Sequence, residues 1–320
     1  VKQVRNSEFQ RAASCLKIIL INRSRASHAR ELRKDMQDMA LGGSKLQTGH
    51  VPPLPWRLED IDFASIEPEV VARNEDLVAL LCASSFIESG SDLYSRNLVE
   101  YFAGDQEVED WLSTSWENEE LQHGRALKAY IAYVWPDFDW DASFARFFDE
   151  YSKTCTIEEF EKTKALEMAA RCVVETGTAT LYRAINECTD EPILKQLTSN
   201  IRADEVRHYK HFLQYFKRYN ASEKNGRWKV LGALVRRVIE IKSEDSDIAL
   251  RHVFAERHRT EAKDGPEYRA MSGRVNRLVR RNLSAEMCLK MLMKPLDLPS
   301  KVQSAIQPPL AGVLQRVFFR

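Results

Sequence analysis

The tightest constraint on the fold of this chain is a repeated acid and base spacing, Glu120-Leu121-Gln122-His123 and Glu205-Val206-Arg207-His208. Residues three apart share a face of an α-helix, so each repeat aims a carboxylate and an imidazole at one point. A single such repeat arises often on helical surfaces. Two copies 85 residues apart, each inside a long helical pattern, require an architecture that brings two helices together.

Apolar periodicity supplies the helices. Leu77, Leu80, Leu81, Phe86, Ile87, Leu98 and Val99 surround Glu88 and predict a first core helix over 70–103, stopped at Gly104. A second is expected over 106–133, ending before Pro136, and a shorter one over 140–155. The third core helix is predicted to start near Thr156, because Glu158 and Glu159 suit a helix amino end, and to pass Glu175 toward Cys188. A fourth covers 191–218. Helical periodicity continues through 229–260 and 268–293, with a short segment from Ala311 to Phe319. Residues 1–40 have the pattern of an amphipathic helix, ended by Gly42-Gly43 and the irregular Pro52-Pro53-Leu54-Pro55. Alternating β-branched segments are scarce, which argues against a sheet-based fold. The fold class is therefore all-α, with an amino-terminal extension over 1–68, a helical core over 69–220 and accessory helices over 221–320.

Two further acids belong with the repeats. Glu88 lies in Phe86-Ile87-Glu88-Ser89-Gly90 and Glu175 in Val173-Val174-Glu175-Thr176-Gly177. An acid beside two apolar residues in a core helix carries a desolvation penalty unless it is paired or bound to a cation. Glu88 and Glu175 are thus candidates for bridging ligands. In chain order, Glu88, Glu120 with His123, Glu175, and Glu205 with His208 match the ligand arithmetic of a dinuclear carboxylate bundle. Carboxylate and imidazole donors without thiolates suit iron or manganese better than structural zinc. The alternative is a pair of exposed repeats, with the two acids neutralised by Arg171, Arg183 or Arg202.

At these residues the chain resembles the ferritin-like superfamily, and within it the soluble acyl-carrier-protein desaturases. Ser115-Trp116-Glu117-Asn118-Glu119-Glu120-Leu121-Gln122-His123-Gly124 looks like that family's Trp, double Glu and His-Gly segment. Glu175 to Thr178 is similar to its third-helix ligand and oxygen-side threonine, and Ala203-Asp204-Glu205-Val206-Arg207-His208 to its last motif. The similarity covers mainly residues 70–220. It implies a ferritin-like four-helix bundle with additional N- and C-terminal helices. It also implies that Glu88, Glu120, His123, Glu175, Glu205 and His208 hold two iron ions, manganese being the alternative. Within it, Trp116 and Thr178 would line the oxygen side, Asp204 would orient a ligating histidine, and Trp56 would take part in electron transfer. O2 is the implied co-substrate, reduced with electrons from an external donor protein, and a homodimer is the implied assembly.

The residues themselves also allow plainer readings. Trp116 reads as core packing, and Thr178 as a hydroxyl bonded to its own helix. His211, one turn after His208, reads as a solvent-side or outer residue rather than an extra ligand. Asp92 and Tyr94 follow Glu88 on the first helix; Asp92 is the better aligned to reach the cavity but reads as half of a surface salt bridge.

Charge is balanced overall, with 47 basic and 47 acidic residues, and unevenly distributed. Residues 1–34 hold nine Lys/Arg against Glu8 and Glu31, and residues 221–320 hold 20 against 11 acids, so the middle is acidic. No RNA-binding module emerges, which argues against a nucleic-acid partner. The six cysteines form no CxxC pair, no apolar run reaches the length of a membrane span, and no signal-peptide core is evident. A cytoplasmic location is expected.

The expected function is a di-iron oxidoreductase that activates O2 and desaturates an acyl thioester or related apolar substrate, free or attached to an acyl carrier. Hydroxylation or N-oxygenation of a small metabolite would use nearly the same ligands. A non-enzymatic ferritin-like metal-binding protein is the alternative outside catalysis.

Overall fold

A computed structural model describes residues 53–157, 160–240 and 245–317. The helix expected within 1–40, the pair Glu158 and Glu159, and the end of the segment from Ala311 to Phe319 lie outside the described residues. Among the described residues every regular element is helical, in agreement with the all-α expectation.

The stretch expected as one helix over 70–103 is three: α1 (Pro68–Ala72), α2 (Glu75–Ser89) and α3 (Ser91–Tyr101). Local chemistry sets the breaks. The Asn74 side chain accepts the Leu77 N–H and caps α2. Gly90 sits in the bridge region at φ −91° and ψ 2°, with the Ser91 hydroxyl donating to the Glu88 carbonyl. Helix α2 is buried on nearly every side from Leu77 to Phe86, as expected of a helix inside the bundle.

Next, α4 (Gln106–Trp111) runs through a π-helical turn at Leu112–Trp116 into α5 (Glu117–Val134). Such turns recur at functional sites. The shorter α6 (Trp140–Tyr151) follows. Helix α7 (Lys164–Glu187) starts later than the expected Thr156, because Thr163 is its cap and accepts the Leu166 N–H. Helix α8 (Pro192–Glu223) begins where Glu191 accepts the Ile193 and Leu194 N–H groups, and outruns its expected end at 218.

The carboxyl-terminal periodicity also divides. The run over 229–260 forms α9 (Arg227–Glu240) and α10 (Asp245–His258), and that over 268–293 forms α11 (Pro266–Asn282) and α12 (Ala285–Leu292). Ser284 makes the second division by accepting the Met287 N–H. The last helix, α13 (Ser300–Val317), starts well before Ala311.

Four helices build the core of the bundle. Helix α2 packs along α5 and α7 along α8, and α5 touches α8 to join the pairs. Helices α10 and α11 cover α2, while α9, α11 and α12 cover α7. Two apolar clusters result, one around Phe86, Tyr130 and Phe147 and one around Leu98, Phe102 and Phe212. Gly124 sets the approach of α5 to α2: a Cβ there would lie 2.3 Å from Ser89 Oγ and 2.8 Å from its backbone nitrogen. Only glycine allows that contact, immediately beside His123 and Glu88.

Candidate metal centre

Each core helix delivers acid to the same interior point: Glu88 from α2, Glu120 with His123 from α5, Glu175 from α7, and Glu205 with His208 from α8. All six side chains are buried. They form two groups whose facing atoms lie within 4.8 Å of one another, Glu88, Glu120, His123 and Glu205 in one, and Glu120, Glu175, Glu205 and His208 in the other. Glu120 and Glu205 belong to both. Glu88 and Glu175, expected as bridging ligands, each fall in one of the two groups, whereas the glutamates of the two repeats fall in both.

The imidazoles are held from behind. His123 Nε2 donates to Asp204 Oδ2 at 3.0 Å, and His208 Nε2 donates to Glu119 Oε2 at 2.6 Å. Each acid stands one residue before a repeat glutamate and orients the histidine of the opposite helix. Arg207 ties the two acids together, donating to Glu119 at 2.7 Å and to Asp204 at 2.8 Å. With Nε2 engaged, each ring turns Nδ1 inward. His123 Nδ1 lies 3.2 Å from Glu205 Oε1 and 3.7 Å from Glu88 Oε2. His208 Nδ1 lies 3.0 Å from Glu120 Oε1 and 3.6 Å from Glu175 Oε2.

These inward atoms test whether a cation fits. His123 Nδ1, His208 Nδ1, Glu120 Oε1 and Glu205 Oε1 are buried and lack an aligned hydrogen bond. They face one another only as ion pairs, at 3.2 Å between His123 Nδ1 and Glu205 Oε1 and 3.0 Å between His208 Nδ1 and Glu120 Oε1, and four buried polar atoms so placed leave their hydrogen-bonding capacity for a cation to take up. Imidazole nitrogens backed by carboxylates are the arrangement that orients metal ligands. The donor set fits two iron or manganese ions.

The electrostatics of the bare chain agree. Burial, then the Glu205 and Glu88 carboxylates, push Glu120 well above the usual range, and burial pushes Glu175 up to about 8. Burial pulls the histidines toward neutrality, but the facing acids outweigh it: Asp204, Glu205 and Glu88 raise His123, and Glu119, Glu120 and Glu175 raise His208. Without cations the cluster retains protons, which metal ligation would displace.

The remaining expected residues are distributed around this cluster. Thr178 Oγ1 donates to Glu205 Oε2 at 2.7 Å, closer than its own backbone carbonyls at 3.3 Å, so the purely backbone-bonded reading is set aside. Trp116 is buried edge-on to His208, ring centroids 6.4 Å apart, and its Nε1 has no partner. Asp204 accepts from Trp56 Nε1 at 2.7 Å, and the Trp56 ring stacks on His123 at 6.2 Å. His211 stacks on Trp111 at 5.0 Å, away from the ligand groups. Asp92 pairs with Arg96 at 3.0 Å. The arginines considered as neutralising partners point elsewhere: Arg171 pairs with Glu167 and Arg183 with Glu187, and among the described residues no ion pair joins Arg202 to the cluster.

Sequence reasoning overlooked Glu119 and Tyr182. The signal for Glu119 was its register, one residue before Glu120 as Asp204 is before Glu205. Tyr182 lies two turns beyond Glu175 and donates its hydroxyl to Glu88 Oε1 at 2.5 Å; only the fold makes that contact visible.

No protein-family profile matches the chain, and no curated protein does. Among solved structures, the chain is similar to a variant of an R2-like ligand-binding oxidase with an aerobically reconstituted Mn/Fe cofactor. The identity is 14%, the match covers 82% of this chain and 88% of the other, and the TM-score is 0.43. Among the described residues no helix is long and apolar enough to cross a membrane.

Proposed function

We propose that this protein is a dinuclear iron oxidoreductase, manganese being the alternative metal, that uses O2 to oxidise an apolar organic substrate. One observation carries the reading: two buried imidazoles and two carboxylates turn their Nδ1 and Oε1 atoms toward one interior point without aligned hydrogen bonds, while the outer nitrogens of the imidazoles are fixed by hydrogen bonds. A dinuclear iron centre held by these residues would supply the reduction of O2 to water, with two electrons and two protons from the substrate's hydrogens, two electrons from a donor protein and two protons from solvent.

The chain's own residues divide the remaining work. His123 and His208 bind through Nδ1, oriented by Asp204 and Glu119. Thr178 holds a proton against Glu205 Oε2, on the side to which we assign oxygen. Trp116 excludes water beside His208. Trp56, Asp204 and His123 form a continuous hydrogen-bonded path into the cluster, which we assign to electron delivery.

Motif resemblance directs the first substrate test to acyl thioesters. Iron reconstitution with metal analysis should give two ions per chain; a wild-type protein that never binds two iron or manganese ions sinks the proposal. Mass spectrometry after incubation with O2 and a reducing system then fixes the reaction. Loss of two hydrogens identifies desaturation, and a gain of oxygen identifies hydroxylation or N-oxygenation.

A further inference from the structure

The inward face of α7 carries Glu167, Arg171, Glu175 and Thr178 at successive turns. Glu175 and Thr178 join the carboxylate cluster. One turn away, about 6 Å along the axis, Arg171 places a guanidinium in the core, only 2% exposed. Its Nε lies 2.8 Å from Glu167 Oε1, but the pair is misaligned for hydrogen bonding, and its Nη2 has no partner. Glu167 is not free to serve Arg171 alone. Its other oxygen accepts the Glu161 N–H at 2.8 Å and lies 3.6 Å from Arg237 Nη2. Arg237 also reaches Glu240 at 3.3 Å. Among the described residues Arg171 has no second acid within ion-pair distance.

Two more unpartnered donors adjoin it. The Arg171 guanidinium lies 4.6 Å from the centre of the Tyr94 ring, which meets Trp116 at 6.3 Å. The buried Tyr94 hydroxyl and Trp116 Nε1 both lack acceptors. Trp116 in turn contacts His208, so these contacts lead from Arg171 to a ligand of the proposed metal centre. Phe160 and Phe212 add apolar surface beside Tyr94 and Trp116.

Arg171 and Arg237 are balanced in charge by Glu167 and Glu240, but the buried Arg171 Nη2 has no acceptor and its one ion pair is misaligned, so its desolvation is offset only in part. Three donors, Arg171 Nη2, the Tyr94 hydroxyl and Trp116 Nε1, are thus left for an acceptor. A planar guanidinium matches the two oxygens of a carboxylate. We propose that Arg171, with Tyr94 and Trp116, anchors the carboxylate of a small-molecule substrate whose apolar body faces Glu175 and His208. This deepens the dinuclear reading and rests on it, and it makes the substrate a free carboxylic acid rather than a carrier-bound thioester.

Calorimetric titration of the metal-loaded full chain with benzoate against benzyl alcohol, and hexanoate against hexanol, tests the anchor, with metal content measured on the same samples. At least one acid should bind, more tightly than its alcohol. Arg171→Gln should weaken acid binding roughly 30-fold or more while two metal ions remain, and Tyr94→Phe should weaken it by about threefold to tenfold. Failure of both acids to bind wild type, equal binding of acids and alcohols, or unchanged acid affinity in Arg171→Gln overturns the proposal. If Arg171→Gln does not fold, Arg171→Lys and Tyr94→Phe decide, and unchanged acid affinity in both overturns it. If wild type binds fewer than two metal ions, the dinuclear reading fails separately. Acid binding by the chelated chain that Arg171→Gln abolishes would still uphold the anchor; its absence there would overturn it.

Discussion

The two ends of the carboxylate cluster are built alike and finished differently. Each has one end glutamate, one inward histidine, one acid behind that histidine and one tryptophan beside it. At the His123 end the tryptophan is incorporated into the hydrogen-bond network: Trp56 stacks on the imidazole and donates to Asp204, and Tyr182 donates to Glu88. At the His208 end Trp116 stands edge-on with its N–H unpartnered, next to Tyr94 and Arg171, which also retain unused donors. The difference separates a closed end suited to connecting the centre with the outside from an end with binding capacity left over. Near-symmetry in the ligands thus coexists with asymmetry in their surroundings, where we place the division between electrons and substrate.

The largest expected effect comes from removing what both ends share. Glu205→Ala or Glu120→Ala takes a carboxylate from both ligand groups, so metal content should fall from two ions per chain to fewer than one. Glu88→Ala and Glu175→Ala each touch one group and should leave about one ion. Metal analysis after reconstitution checks the contrast; equal losses across all four variants would break the division into shared and end ligands.

The next effect concerns the region behind Arg171. Burial raises Glu167 from 4.5 to about 7, against the lowering influence of Arg237. The folded chain therefore binds this proton more tightly than the unfolded chain. The stability it contributes is complete below pH 4.5 and is lost as pH rises through about 7. That loss is on the order of 3 kcal/mol. Glu167→Gln cannot titrate, so urea unfolding of the chelated chain should show the variant gaining on wild type between about pH 5 and 7.5. Parallel profiles would show that Glu167 is compensated at every pH.

A smaller effect probes the acids behind the histidines. Asp204→Asn and Glu119→Gln keep the shape and weaken the acceptor, and outer partners of metal-bound histidines are worth about 10- to 100-fold in affinity. Both variants should fall in that range by competition with a chelator. Only Asp204→Asn should also slow reduction of the loaded centre by an external donor, because only Asp204 links to Trp56. Equal reduction rates in the two variants would remove the functional distinction between the ends.

How much of this was legible before folding follows from the range of each interaction. Helical periodicity and the three-residue spacing are local, so the sequence places Glu120 beside His123, Glu205 beside His208, and all four ligand segments in helices. The breaks at Asn74 and Gly90 and the late start at Thr163 are also local, but caps and a glycine outweighed the apolar pattern used to draw those helices. Which carboxylates fall in both groups depends on how the four helices are brought together, and Asp204 serving His123 rather than its neighbour His208 depends on how α5 faces α8. Neither is encoded in a spacing. Glu119 lies between: its register repeats that of Asp204, so a candidate was readable, though its partner was not.

The smallest effect isolates the single hydrogen bond that distinguishes the tryptophans. Trp56→Phe and Trp116→Phe remove similar volumes from buried positions, so their packing costs largely cancel in the comparison. Trp56→Phe also deletes a donor to Asp204, which retains His123 and Arg207; Trp116→Phe deletes an N–H with no partner. Trp56→Phe should therefore be less stable by about 1.5 kcal/mol, the low end for a bond to a carboxylate that keeps two other donors, in denaturant unfolding of the chelated chains. Metal content should stay at two ions in both. A Trp116 variant as costly as the Trp56 variant would mean that the indole of Trp116 is satisfied after all, by ordered water, and that the donors beside Arg171 are less available than the asymmetry requires.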